Sequence, residues 1–336
     1  MAIAVLGAGS WGITLARLLA NKGEEVSLWE FDKPVYEKLV KNREHDRFLP
    51  GIKIPDSVLI TNDFTEALQN ATAVLLALPS HTVRPVCQQL APYLTDEMII
   101  INCAKGLETE TQLRLSEVIS QVIPKVYQRQ ITVLSGPSHA EEVSRDVPTT
   151  VVISGFDLGI MQSVQNLMMS PRFRVYTNPD LIGVEIGGAL KNIIAIGAGI
   201  SDGLGFGDNT KAALITRGLA EMSRIGIKLG GNPLTFSGLT GLGDLVVTCT
   251  SRHSRNRAFG EKIAKKESVQ QALDEIGMVV EGVRTTKAAY ELALSLEIIM
   301  PITDQVYQVL YQNKPPLQAV SELMMRDAKP EMEQIK

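Results

Sequence analysis

Residues 3–12 read Ile3-Ala4-Val5-Leu6-Gly7-Ala8-Gly9-Ser10-Trp11-Gly12. Four apolar residues suited to a buried strand run straight into a GxGxxG turn. Apolar residues at helical spacing then follow over Trp11–Lys22. Glycines in this pattern permit a tight turn, close backbone approach to a pyrophosphate, and close packing of strand on helix. The helix N-terminus supplies N–H groups and the positive end of a dipole for the phosphates. Gly7, Gly9 and Gly12 are therefore candidate dinucleotide contacts. A purely structural turn is the alternative, disfavoured by the position of the glycines between strand, helix and a second strand.

Outward from this stretch, Glu25–Trp29, Val58–Thr61, Ala73–Leu78, Met98–Asn102 and Ile131–Ser135 read as further strands, with Val151–Ser154 and Phe173–Tyr176 extending the set. Near-continuous apolar runs suit a parallel sheet covered on both faces. Helical spacing over Pro34–Lys41, Arg84–Leu94 and Thr111–Ile123 completes a strand–helix alternation, which implies a doubly wound sheet. From Pro179 onward the pattern is helical almost throughout: Pro179–Ser201, Asn209–Leu229, Leu242–Thr250, Asn256–Lys266, Val269–Ile276, Arg284–Leu296 and Pro301–Gln312. The expected architecture is an α/β Rossmann-type domain over 1–179 and an all-α substrate domain over 180–336.

Composition bounds the function. The chain has 336 residues, 45% hydrophobic and 21% charged, enough to build cores and too apolar for intrinsic disorder. Lys+Arg 33 against Asp+Glu 37 gives a net charge of −4, without the positive field that drives non-specific nucleic-acid or anionic-lipid binding. Cys87, Cys103 and Cys249 are odd in number and form no CxxC pair, which argues against a disulfide framework or a zinc site. The stretch 181–200 is apolar but interrupted by Glu185, Lys191 and Asn192, unlike a membrane span. The opening Met-Ala-Ile-Ala-Val-Leu lacks the basic segment and cleavage site of a signal peptide, so a cytoplasmic protein without membrane insertion is expected.

Several polar residues stand out against apolar or glycine-rich surroundings. Glu30 ends the second strand 18 residues past Gly12, where a carboxylate bonds the adenosine ribose and repels a 2′-phosphate; an ordinary solvated strand end is the alternative. With Asp32 it favours NAD, whereas Lys33, Arg43 and Arg47 leave NADP open. Phe31 either lies against the adenine or packs. Lys105 follows the carboxyl end of a strand, where open α/β sheets present ligands, or is simply solvated. In Gly136-Pro137-Ser138-His139-Ala140, Ser138 either caps a helix or meets a ligand. Lys191 sits in an apolar helix, Gly187-Gly188-Ala189-Leu190-Lys191-Asn192, where an ammonium is costly unless paired or snorkelling to water. Asp244 is another lone charge, or an ordinary helix N-terminal carboxylate. Ser254-Arg255-Asn256-Arg257 belongs to a cationic cluster suited to phosphate; a nucleic-acid contact is disfavoured by the acidic chain and the absence of interleaved aromatics.

With these residues in place, the chain resembles bacterial glycerol-3-phosphate dehydrogenases along essentially its whole length. The resemblance rests on GAGSWG (Gly7–Gly12), CAKG (Cys103–Gly106), SGPSHA (Ser135–Ala140), GALKN (Gly188–Asn192), GLGDLVVT (Gly241–Thr248), SRNR (Ser254–Arg257) and VEG (Val280–Gly282), in the family's order. It implies reversible hydride transfer between dihydroxyacetone phosphate and sn-glycerol 3-phosphate with NAD or NADP, feeding phospholipid synthesis. By motif, Ser10, Trp11, Lys105, Ala140, Arg255, Val279 and Glu281 would contact the dinucleotide, flanked by Phe31 and Phe48. Lys105, Gly136, Ser138, Lys191, Asp244, Ser254, Arg255 and Asn256 would surround the substrate, and no metal is implied. Lys191 matches the family's proton-transfer lysine, with Asp244 holding its amine. Many relatives carry a basic residue just after the second strand where this chain has Glu30-Phe31-Asp32, which leans the cofactor toward NAD.

Three other readings remain at this level: a lysine-dependent dehydrogenase of hydroxy acids, a non-catalytic dinucleotide sensor, and a nucleic-acid binder. A helical domain with apolar faces makes a homodimer the expected assembly.

Overall fold

The structure is a computed structural model and describes every residue except 266, 267, 329 and 332–336. The expected helix end at Lys266 and the last residues of the 180–336 segment thus lie outside the described residues. Eight strands form one sheet: β1 (Ala2–Leu6), β2 (Glu25–Trp29), β3 (Val58–Thr61), β4 (Ala73–Leu76), β5 (Ile99–Asn102), β6 (Ile131–Ser135), β7 (Thr149–Gly155) and β8 (Phe173–Asn178). Their order is β3-β2-β1-β4-β5-β6-β7-β8. Leu6 of β1 registers with Trp29 of β2 on one side and Leu76 of β4 on the other. The order reverses between β1 and β4, so the carboxyl ends of these two strands form the switch point where such sheets bind ligands.

Alternation along β1 builds two cores. Ile3 and Val5 join a cluster with Ile13, Leu15 and Leu19 of the first helix; Ala4 and Leu6 join another with Val83, Cys87 and Leu90. Successive strand residues point to opposite faces, so an apolar run is required wherever both faces are covered.

The sheet is not wholly parallel: β6 and β7 run antiparallel. The connection between them holds the four-residue helix Ala140–Val143, about 6 Å long at 1.5 Å per residue, which does not carry the chain back along the length of a strand. The chain then crosses through Leu158–Met168, a helix the sequence reading does not place, and returns parallel as β8. Asp157 caps that helix by accepting from Ile160 N–H at 3.1 Å.

Two compact units emerge: Met1–Lys105 with Leu113–Glu185, and Gly106–Gln112 with Ile186–Lys336. Beyond Gly203 the second unit is helical, with Asp208–Lys228, Asp244–Thr250, Arg255–Ala264, Val269–Ile276, Glu281–Ser295, Pro301–Tyr311 and Pro316–Met324 as its longer helices. The last of these is absent from the sequence reading. The helix Leu181–Gly203 is long and apolar enough to cross a membrane by length and composition, but 89% of its 18-residue apolar stretch is buried inside the protein.

Candidate active site

In the first unit the glycine turn follows β1. Gly7 has φ +106°, and a Cβ on Gly12 would stand 1.8 Å from the Gly7 carbonyl oxygen, so the turn and the helix Ser10–Asn21 close only around glycine. A Cβ on Gly9 would meet nothing within 4 Å. Gly9 is also the N-cap, no side chain caps the helix, and its first turn carries no acidic residue. Backbone donors with open space before them, at a helix whose first turn has no acidic residue, fit a dinucleotide pyrophosphate. Ser10 is buried and Trp11 half-buried beside this turn. The Ala140 carbonyl accepts from Thr14 Oγ1 at 3.3 Å, which brings Ala140 against the same helix.

Glu30 is buried, not solvated. Its carboxylate accepts from Asp32 N–H at 2.9 Å and from Ala8 N–H in the glycine turn; burial nonetheless pushes its pKa up. Asp32 caps the helix Lys33–Asn42, accepting from Val35 N–H at 3.0 Å. Phe31 is 73% exposed, with its ring 6.4 Å from that of Trp29. Phe48 is half-buried and stacked on His45 at 4.1 Å. Arg43 donates through Nη2 to the carbonyls of Pro55 and Val58.

At the carboxyl ends of β5 and β6, Lys105 Nζ donates to the Gly136 carbonyl at 2.8 Å and to Ser138 Oγ at 3.5 Å. Ser138 Oγ donates to the Gly136 carbonyl at 2.9 Å instead of capping the helix that follows; His139 holds the N-cap position. Lys105, Gly136 and Ser138 thus form one cluster.

The second cluster lies in the helical unit. Gly187 and Lys191 are four residues apart and share a helix face. A Cβ on Gly187 would stand 2.6 Å from the Thr240 carbonyl oxygen, so glycine alone admits the π-helical turn Leu239–Gly243 at this distance. That approach delivers Asp244, the first residue of the next helix, to Lys191. Lys191 is 6% exposed and Asp244 1%. Lys191 Nζ donates to Asp244 Oδ1 and, at 2.9 Å, to Thr248 Oγ1. Thr248 Oγ1 in turn donates to the Asp244 carbonyl. The amine therefore neither snorkels nor lies buried alone; a carboxylate compensates its desolvation. Thr248 lies within the quoted GLGDLVVT but is not singled out from sequence; its position four residues after Asp244 on a helix is the signal that finds it.

Ser254 caps the helix Arg255–Ala264, accepting from Arg257 N–H at 3.2 Å, and as acceptor its hydroxyl keeps a hydrogen to donate. Arg255 Nη1 donates to the Val279 carbonyl at 3.2 Å, and Glu281 opens the adjoining helix Glu281–Ser295. Asn256 is more engaged than a simple ligand grip implies. Its Oδ1 accepts from Gly282 N–H and its Nδ2 donates to Asn192 Oδ1, both at 2.9 Å. It ties three helices together, and Asn192 joins the cluster through it. No group of three or more His, Cys, Asp or Glu that could hold a metal occurs among the described residues.

Comparison with known proteins identifies the family of the chain. Residues 2–159 match the family described as NAD-dependent glycerol-3-phosphate dehydrogenase N-terminus, and 180–321 match its C-terminus. A glycerol-3-phosphate dehydrogenase [NAD(P)+] of Desulfitobacterium hafniense is 53% identical over 99% of this chain and 94% of its own length. One from Chlorobium phaeobacteroides is 52% identical over 99% of both. The crystal structure of glycerol-3-phosphate dehydrogenase from Coxiella burnetii superposes with TM-score 0.92 at 39% identity, covering 97% of this chain and 99% of that one.

Proposed function

Because the chain belongs to the NAD-dependent glycerol-3-phosphate dehydrogenase family, we propose that it interconverts dihydroxyacetone phosphate and sn-glycerol 3-phosphate with NAD(P)H, Lys191 moving the proton. The observation that carries the role of Lys191 is its buried amine, held by Asp244 and Thr248. Reducing a ketone needs a hydride on carbon and a proton on oxygen. The bound nicotinamide supplies the hydride. Lys191 Nζ donates the proton to the carbonyl oxygen and takes it back in the oxidation direction. Asp244 and Thr248 fix the amine's direction.

In the same reading, residues 1–179 bind the dinucleotide and 180–336 the substrate. Each unit contributes substrate contacts in this reading: Lys105, Gly136 and Ser138 in one, Lys191, Asp244 and Arg255 in the other. Arg255 grips its phosphate with a planar fork of donors, helped by Ser254 and by the remaining amide hydrogen of Asn256. Lys105 polarises the carbonyl or bridges to the cofactor. Ser10, Trp11, Ala140, Val279 and Glu281 meet the dinucleotide, with Phe31 over the adenine and Phe48 nearby. Buried Glu30 and neighbouring Asp32 put negative charge where a 2′-phosphate would sit, which supports a lean to NAD. A cytoplasmic homodimer supplying glycerophospholipid synthesis completes the reading.

The deciding experiment is NADH and NADPH oxidation with dihydroxyacetone phosphate beside plain dihydroxyacetone and 2-keto acids. The phosphorylated ketone should be preferred, and Lys191→Met should lower kcat by about 10²–10⁴ while leaving dinucleotide affinity intact. Wild-type turnover in Lys191→Met would remove that residue from the chemistry. Preference for an unphosphorylated acid would move the enzyme to the hydroxy-acid class.

A further inference from the structure

A cavity lies within the helical unit, and Lys191, Asp244 and Thr248 are not among the residues that line it. Its volume is about 420 Å³, within the range of small-molecule pockets. The helices Asp208–Lys228, Pro301–Tyr311 and Pro316–Met324 wall it, with Gly197, Ile200 and Ser201 of the helix that carries Lys191. Leu214, Ile302, Val306, Val309, Val320 and Leu323 give it an apolar interior. Three arginines, Arg217, Arg224 and Arg326, line it against two acids, Glu221 and Asp327.

Glu221 does not face a ligand as an open carboxylate. Both its oxygens turn to the start of Pro301–Tyr311, accepting from Ile302 N–H, Thr303 N–H and Thr303 Oγ1. Arg217 and Arg224 each donate through Nη1 to a backbone carbonyl, of Glu331 and Ile299, and guanidiniums outnumber carboxylates three to two along the lining. Ser201 adds an independent sign: it lines the cavity at 3% exposure, and its Oγ has no hydrogen-bond partner among the described residues. Buried hydroxyls are ordinarily paired, and one without a partner beside a cavity points to a missing polar atom.

We propose that this cavity binds a single-chain amphiphile with an anionic head, its hydrocarbon chain along the Leu214–Val306–Leu323 wall and its head among the arginines. Apolar lining selects the chain, and the guanidinium forks select a carboxylate or phosphate. The apolar lining has no counterpart in the chemistry of a three-carbon polar substrate.

The test titrates the full-length protein calorimetrically with decanoate and decyl phosphate below their micelle concentrations and with decan-1-ol below its solubility limit. Both anions should bind at a single site, with decan-1-ol weaker by roughly tenfold, about 1.4 kcal/mol. The tighter anion identifies the head as carboxylate or phosphate. Val320→Trp fills the cavity and should weaken both anions by about tenfold or more. Combining Arg217→Ala with Arg326→Ala should weaken the anions by a similar factor and leave decan-1-ol unchanged. Unaltered NAD(P)H oxidation certifies that each variant folds; if Val320→Trp does not, Leu323→Glu places a repelling carboxylate in the same wall. Wild-type anion affinity in the cavity variants overturns the proposal, as does decan-1-ol binding as tightly as the anions. Light scattering adds a third arm: a Val320→Trp variant that loses a dimer while still binding decanoate would assign the face to a second copy of the chain.

Discussion

At Lys191 the amine is held by two residues on another helix, Asp244 and Thr248. Burial alone disfavours an ammonium, while an adjacent carboxylate favours it. Thr248 Oγ1 contributes direction, since it accepts from Nζ at 2.9 Å and donates to the Asp244 carbonyl. Thr248→Val keeps the shape and removes the acceptor. Losing a hydrogen bond to a charged group is worth about 1.5–3 kcal/mol, so kcat should fall roughly ten- to hundredfold with the ketone KM nearly unchanged; steady-state kinetics separate the two. Arg255 predicts the opposite split. Arg255→Ala should raise KM for dihydroxyacetone phosphate by roughly ten- to hundredfold and leave the slow reduction of plain dihydroxyacetone alone. Equal loss on both ketones would take Arg255 off the phosphate.

At the scale of elements, the turn into Ser10–Asn21 separates two roles that one glycine motif combines. Gly12 is required by packing, because its Cβ would overlap the Gly7 carbonyl oxygen. Gly9 is not, since its Cβ would enter open space with an ordinary φ of −72°. Gly12→Ala should therefore lower stability by about 1–3 kcal/mol or prevent folding, as overpacking does. Gly9→Ala should change stability by no more than about 0.5 kcal/mol. Yet it should weaken dinucleotide binding severalfold, by placing a methyl where the pyrophosphate comes closest. Thermal unfolding and dinucleotide titration of the two variants read these effects independently. At the start of Arg255–Ala264, Ser254→Ala removes the cap and should cost about 1 kcal/mol.

For the whole molecule, buried carboxylates set a pH dependence of stability. Burial pushes Glu221 from 4.5 up to about 7, against the three donors that hold it, and raises Glu185 against Arg114 and Ser116. A carboxyl whose folded pKa lies above its unfolded value binds more protons when folded. For Glu221 the folded state is therefore favoured at low pH, and that advantage declines as pH rises from about 4.5 through about 7. The slope is at most about 1.4 kcal/mol per pH unit. Glu221→Gln should flatten this part of the profile between pH 5 and pH 8, whatever its effect on absolute stability. Denaturant unfolding across that range checks the slope.

Local pattern alone located all eight strands, the glycine turn and most long helices, because apolar periodicity and turn residues act between near neighbours in the chain. It also singled out Lys191 and Asp244 as lone charges in apolar runs. Tertiary structure decided the rest. It set the reversed direction of β7, Glu30 folded back onto Ala8, Arg43 pinned to Pro55 and Val58, and 106–112 grouped with the helical unit. It also joined Asn256 to Asn192 and Gly282, and Lys191 to Thr248. Each of these depends on contacts between residues far apart in sequence, whose distance and partners no local periodicity encodes.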